Sequence, residues 1–113
     1  MHELAIACGL VQSAVDEAMR HGASRVTGVD LVLGALTGVE PDALSFCFPA
    51  AAAGTMCEGA ELHIEIEPAR GWCNHCNTRS DVHELMSPCP RCGEWPIAVE
   101  GGREMRLRSV EVT

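Results

Sequence analysis

The chain has 113 residues, 47% of them hydrophobic, which is enough for one compact domain with a small appended module and excludes wholesale disorder. Its formal net charge of -8, with eight arginines and no lysine, repels phosphate backbones and anionic headgroups alike. Nucleic acid and membrane are therefore disfavoured as partners. Glu3 stands where a secretory leader would carry basic residues, and the most apolar stretch, ALSFCFPAAAAGTM, is short and broken by Pro49. A cytoplasmic, reducing location is expected.

Leu4, Ala7, Cys8, Val11, Ala14, Val15, Ala18 and Met19 recur at helical spacing, and this predicts an amphipathic helix over HELAIACGLVQSAVDEAMRH. Gly22 is its expected left-handed terminator, with Arg20 and His21 at the negative end of the dipole. SRVTGVDLVLG then reads as a strand, Val29, Leu31 and Leu33 on one face and Asp30 on the other. EPDALSFCF begins a second helix with Pro41 at its first position, and Pro49 is expected to kink or shorten it.

ELHIEIEP alternates cleanly, with Leu62, Ile64 and Ile66 inward and Glu61, His63, Glu65 and Glu67 outward. His63 among those glutamates is better explained by a solvated strand face than by a metal site. In REMRLRSVEV the apolar phase shifts from Met105 and Leu107 to Val110 and Val112, which predicts a third strand with a bulge near Ser109.

Between these last two strands lies GWCNHCNTRSDVHELMSPCPRCGEWPIAVEGG, a block of different composition. About thirty residues cannot bury enough apolar surface to fold alone, so a crosslink is required. Cys73 and Cys76 form one C-x2-C pair and Cys89 and Cys92 another, twelve residues further on. Four thiolates at this spacing suit one tetrahedral Zn(II), and a closed sulfur shell is structural rather than catalytic. Asn77 and Gly93, just after each pair, suit the tight backbone that such turns need. A thiol oxidoreductase ranks below this, because redox C-x2-C motifs stand singly at a helix start. His75 and His83 could replace a cysteine or hold a second ion, although surface histidines are the simpler reading. Cys8 and Cys47 are expected to pack as small hydrophobes on the helices, while Cys57, in TMCEG, has no helical context and receives no role.

The opening MHE has its own chemistry. A histidine in second position chelates through its imidazole, its backbone nitrogen and the terminal amine, and Glu3 can add a fourth donor. Such a planar, nitrogen-rich set suits Ni(II) or Cu(II) better than Zn(II).

MHELAI at the start, VEPDALSFCF in the middle, GWC-x2-C with PCPRCG, and RLRSVEV at the end occur in an order that resembles the HypA family of hydrogenase nickel-incorporation proteins. The resemblance implies an α+β fold in which two helices pack against a three-stranded antiparallel sheet, with an inserted four-cysteine zinc ribbon. It implies a nickel-binding domain over residues 1–69, completed by a strand at 103–113, and a zinc domain over residues 70–102. It further implies Met1, His2 and Glu3 as the nickel ligands and Cys73, Cys76, Cys89 and Cys92 as the zinc ligands. Function would then be non-enzymatic delivery of Ni(II) to an assembling nickel-iron hydrogenase, with urease maturation as a candidate second client. The implied partners are a nickel-handling GTPase, the hydrogenase large subunit and urease accessory proteins. Pro49 and Cys57 depart from the family pattern. The alternative is a zinc-ribbon adaptor or nucleic-acid module without a nickel role.

Overall fold

The computed structural model describes residues 2–84, 87–94 and 97–113, and the chain packs as two units, residues 1–32, 39–65 and 106–113 in the first and residues 33–38 and 66–105 in the second. Its elements in chain order are α1 (His2–Arg20), β1 (Val26–Gly34), α2 (Pro41–Ala52), β2 (Glu61–Glu67), β3 (Ala69–Cys73), β4 (Thr78–Val82), β5 (Ala98–Glu100) and β6 (Met105–Val112). They form two three-stranded sheets, ordered β2-β1-β6 and β4-β3-β5. The expected α+β fold, with two helices and a three-stranded sheet, is present.

The buried stripe of α1 is Ala7, Leu10, Val11, Ala14 and Ala18. It is rotated from the stripe read in the sequence, so Leu4 (48% exposed) and Met19 (67%) fall on its flank and Cys8 is exposed instead of core. Leu10, which lay outside the stripe read in the sequence, is buried and clusters with Leu31 and Leu44. At the helix end the N–H of Ala23 reaches the carbonyl of Ala18 at 3.0 Å and that of Gly22 reaches Met19 at 3.1 Å, with Gly22 at φ 68°. This is a Schellman motif, and glycine takes the left-handed position without a Cβ penalty.

Glu40 caps α2, its carboxylate accepting the N–H of Asp42 at 3.2 Å, and Pro41 follows at the first helical position. The helix continues through Pro49 to Ala52, where the sequence predicted a kink or an early end. Pro49 is exposed, and the missing bond is outweighed by Leu44, Phe48 and Ala52, which stay buried at four-residue spacing on either side of it.

Val26, Val29, Leu31, Val32 and Leu33 of β1 are all buried, while Thr27 is exposed and Asp30 half-buried, so the strand carries more buried positions than the single alternating face read in the sequence and still keeps polar residues outward. On one edge, Arg25 and Thr113 exchange backbone bonds at 3.3 and 3.0 Å and Gly34 N–H meets Glu104 O at 2.8 Å, which sets β6 antiparallel to β1. On the other edge Val26 N–H meets Met56 O and Ala35 N–H meets Glu67 O, both at 2.9 Å, so β2 runs in the same direction as β1. Antiparallel pairing thus holds at β6 only. Helix α2 lies between β1 and β2 in the chain, and a helical crossover returns the strand parallel.

In β6, Leu107 and Val110 both pack against the core, while Arg108 bonds Glu65 and Ser109 Oγ donates to Asp30 at 2.7 Å. Two consecutive residues therefore face outward together, which is the phase reversal read in the sequence. The bonds at Arg25–Thr113 and Gly34–Glu104 span equal lengths of β1 and β6, so β6 carries no net extra residue and the expected bulge is absent there.

One core cluster joins Val11, Ala14, Ala18, Val26, Val29, Phe48, Ala52 and Cys57, and another joins Ala7, Leu10, Leu31 and Leu44, with Cys47 packed against its side. Cys57 is fully buried, and this burial pushes its thiol pKa up against a small opposing contribution from Thr55. The short turns from Thr55 to Ala60 fold it inward, a local geometry that no periodic pattern announces.

In the second unit, Trp72 of β3 pairs with Arg79 of β4 and Ala98 of β5, both antiparallel. Gly71 is required here, since a Cβ would come within 2.8 Å of Ile97 and Val82. Leu85, Met86, Trp95 and Pro96 of the module lie outside the described residues.

Phe48→Ala is expected to lower the stability of the first unit by about 3–5 kcal/mol, read from urea unfolding followed at helical ellipticity.

Candidate metal centres

The module's thiols come together although thirteen positions separate Cys76 from Cys89. The sulfurs of Cys73, Cys76, Cys89 and Cys92 all lie within 4.8 Å of one another, with Cys73 to Cys92 at 3.6 Å and Cys76 to Cys89 at 3.7 Å. Sulfurs bound at about 2.3 Å to one tetrahedral ion stand roughly 3.8 Å apart, so the donor set fits Zn(II) in number, type and spacing.

Each pair is shaped by the same turn. Asn77 N–H bonds Cys73 O and Gly93 N–H bonds Cys89 O, both at 2.8 Å, with Asn77 at φ 54° and Gly93 at φ 77°. These are the two positions at which the sequence suited a tight backbone, and asparagine and glycine are the residues that tolerate it. Cys73 and Cys89 are buried, while Cys76 and Cys92 are more open. His75 and His83 are exposed and stand outside the sulfur cluster.

Four thiols this close cannot all ionise without a cation between them. The backbone N–H of Cys92, aided by that of Arg91 and by neighbouring thiols, pulls Cys89 down to about 6 against desolvation. At Cys92 the backbone of Glu94 works in the lowering direction, but desolvation and the thiols of Cys73, Cys89 and Cys76 push the group up to about 12. The site holds one ready thiolate and one reluctant thiol, which a divalent ion would convert into two ligands.

At the other end of the chain, His2 opens α1 and is exposed, while Met1 lies outside the described residues. The amides of His2 and Glu3 fall in a first helical turn, where no carbonyl stands four residues back to take their protons. The Glu3 carboxylate accepts the N–H of Glu40 at 3.4 Å, bringing the cap of α2 beside the MHE segment. Glu40 is the residue that sequence reasoning missed. Its signal was present in EPD, a cap ahead of proline, but nothing in the sequence placed that cap next to residue three.

These features define a small α+β protein with a four-thiol ribbon. A family described as "Hydrogenase/urease nickel incorporation, metallochaperone, hypA" matches residues 1–112, and the chain belongs to it. Relatives agree over nearly the whole length: the chain is 45% identical over 112 residues to "Hydrogenase maturation factor HypA" of Chlorobaculum tepidum, covering 99% of both. It is 41% identical to "Hydrogenase maturation factor HypA 2" of Bradyrhizobium diazoefficiens, again over 99% of each. The fold is also that of "Solution structure of the Ni metallochaperone HypA from Helicobacter pylori", with a TM-score of 0.67 at 23% identity over 99% of this chain and 97% of that one.

Because Cys89 is already ionised near neutrality, Zn(II) binding to the metal-free protein at pH 7 is expected to release fewer than four protons per ion. Acidification through about 6 protonates Cys89 and weakens binding, so affinity falls as pH falls. Calorimetry in buffers of differing ionisation enthalpy measures the proton count.

Proposed function

We propose that this chain carries Ni(II) at its amino-terminal end and delivers it during maturation of a nickel-iron hydrogenase, with Zn(II) held by Cys73, Cys76, Cys89 and Cys92 as a structural ion. Urease maturation is a second client in this reading. The observation that carries it is the family match from residue 1 to residue 112, because it includes both the MHE segment and the double C-x2-C.

Nickel is cargo here, so its site must load and unload. The Met1 amine, the His2 imidazole and backbone nitrogen, and a donor from Glu3 supply a nitrogen-rich set on a chain end, which matches the preference of Ni(II) and needs no core contact. Exposure of His2 leaves the ion accessible to a receiving protein. Zinc differs in kind: its ligands sit on two backbone turns within a small sheet, and its affinity is folding energy for that sheet. Cytoplasmic location fits a thiol-rich chain whose described helices are not long and apolar enough to cross a membrane.

Directed transfer needs an energy source that the chain does not supply, since it contains no GxxxxGK[ST] nucleotide loop. A nickel-handling GTPase fills that role in this reading and engages the first unit, with the hydrogenase large subunit as recipient and urease accessory proteins as the parallel route. Truncating the ribbon should leave the GTPase complex intact, while substitutions on α1 should weaken it, as read by co-purification.

Adding one residue ahead of Met1, or His2→Ala, is expected to weaken Ni(II) binding strongly while zinc content and helical ellipticity stay unchanged. Both changes remove a local ligand and neither touches a thiolate. Nickel competes with protons for the amine and imidazole nitrogens, so binding weakens as pH falls. Equal nickel affinity in the tagged and untagged chains would remove the donor site and favour a zinc-ribbon adaptor.

A further inference from the structure

The outward face of the first unit's sheet carries a second group of metal-ligating side chains, separate from the MHE segment and from the thiols. One ligand atom each from Asp30 on β1, His63 on β2 and Glu111 on β6 lie within 4.8 Å of one another. They come from three neighbouring strands, so the row runs across the sheet. We propose that Asp30, His63 and Glu111 form an open binding site for a divalent transition ion on this sheet face.

Two features of the backbone create the convergence. The first is the phase reversal at Arg108 and Ser109. In a regular strand with Leu107 inward, Glu111 would also point inward; two consecutive outward residues reverse the alternation and send it outward beside Asp30. The second is Gly28, which faces that same side chain. A Cβ on residue 28 would lie 2.5 Å from Glu111 Oε1 and 2.9 Å from its carboxyl carbon, so the absence of a side chain there lets the carboxylate lie across β1. From the residues alone His63 reads as part of a solvated face, because Asp30 and Glu111 reach it only once the strands are paired.

Ser109 Oγ donates to Asp30 Oδ2 at 2.7 Å and fixes that carboxylate, while Glu61 Oε1, 3.6 Å from His63 Nε2, adds negative charge without a hydrogen bond. Arg108, which also interacts with Asp30, is bonded to Glu65. Asp30, Glu61 and Glu111 therefore concentrate negative charge around one imidazole.

The donor set selects the ion. One nitrogen and two carboxylate oxygens suit borderline ions such as Ni(II), Co(II) or Zn(II); Ca(II) and Mg(II) take oxygen throughout, and Cu(I) takes sulfur. Bond lengths of about 2.0–2.2 Å place donors of one ion no more than roughly 4.4 Å apart, within a small rotamer adjustment of the separations here. His63 and Glu111 are exposed, so water completes the coordination and the ion exchanges readily.

The test uses the full-length, zinc-loaded chain carrying His2→Ala, which removes the terminal imidazole, titrated with Ni(II) as the probe. One further equivalent is expected to bind, with paramagnetic broadening centred on the His63 ring and on residues 30 and 111. Adding His63→Ala should abolish it. Gly28→Ala keeps all three donors yet should weaken binding about tenfold or more by displacing Glu111. Glu111→Gln, at an exposed position that needs no core rearrangement, should do the same. Far-UV ellipticity reports the fold of each variant. Absence of the extra equivalent, its persistence after His63→Ala, or broadening centred instead on His21 and Glu17 would overturn the site and leave a solvated row of cross-strand ion pairs. Whether the unsubstituted chain loses a separate equivalent on His2→Ala is read independently, so this site and the amino-terminal one stand or fall apart.

Discussion

Everything in the first unit is arranged around β1, a largely buried strand paired between two others. A central strand leaves no backbone group free for water, so both of its edges must be paired along their length. Helix α2 brings β2 back along one edge, and the chain's end supplies β6 along the other. These two routes have different consequences. The crossover makes β2 parallel, while β6 arrives antiparallel and reverses its facing at Arg108 and Ser109, which keeps Leu107 and Val110 on the core. Because Gly28 and Asp30 share this strand with Val29 and Leu31, the same backbone that anchors the helices also carries the polar row on the other face.

The second unit is held by a different principle. Its described sheet is three short strands, and its buried apolar side chains are few, so the ion-binding turns must supply what a core would. The electrostatics agree with that demand. A thiol held near 6 beside one pushed to about 12 is the state of a cluster awaiting positive charge. The two candidate ions are thus treated oppositely: thiolates on rigid turns for one, and a chain end in the first turn of a helix for the other.

Much of this was legible in the residues. Helical spacing located α1, alternation located β2, the broken phase of RLRSVEV located the reversal of facing in β6, and the C-x2-C spacing located the sulfur cluster. What was not legible depends on packing between distant segments. Leu10 rather than Leu4, Cys8 or Met19 lies on the buried face of α1, and Cys57 was folded inward by local turns. Pro49 failed to end its helix because burial on either side of it outweighed one missing bond. The direction of β2, the approach of Glu40 to Glu3 and the meeting of His63 with Asp30 and Glu111 are all tertiary, and no periodicity encodes them.

The seven cysteines occupy distinct environments: Cys8 in solvent, Cys47 half-buried beside the core, Cys57 sealed within it, and four gathered at one point. An alkylating reagent would meet them in layers. Cys8 reacts in the intact protein, the gathered four would be shielded by an ion held between them and react once it left, and Cys57 follows only when the helices part from the sheet, because its thiol lies against the carbonyl of Val11. The mass of the modified chain therefore counts how far it has opened, and the protein carries its own graded record of metal loss and unfolding.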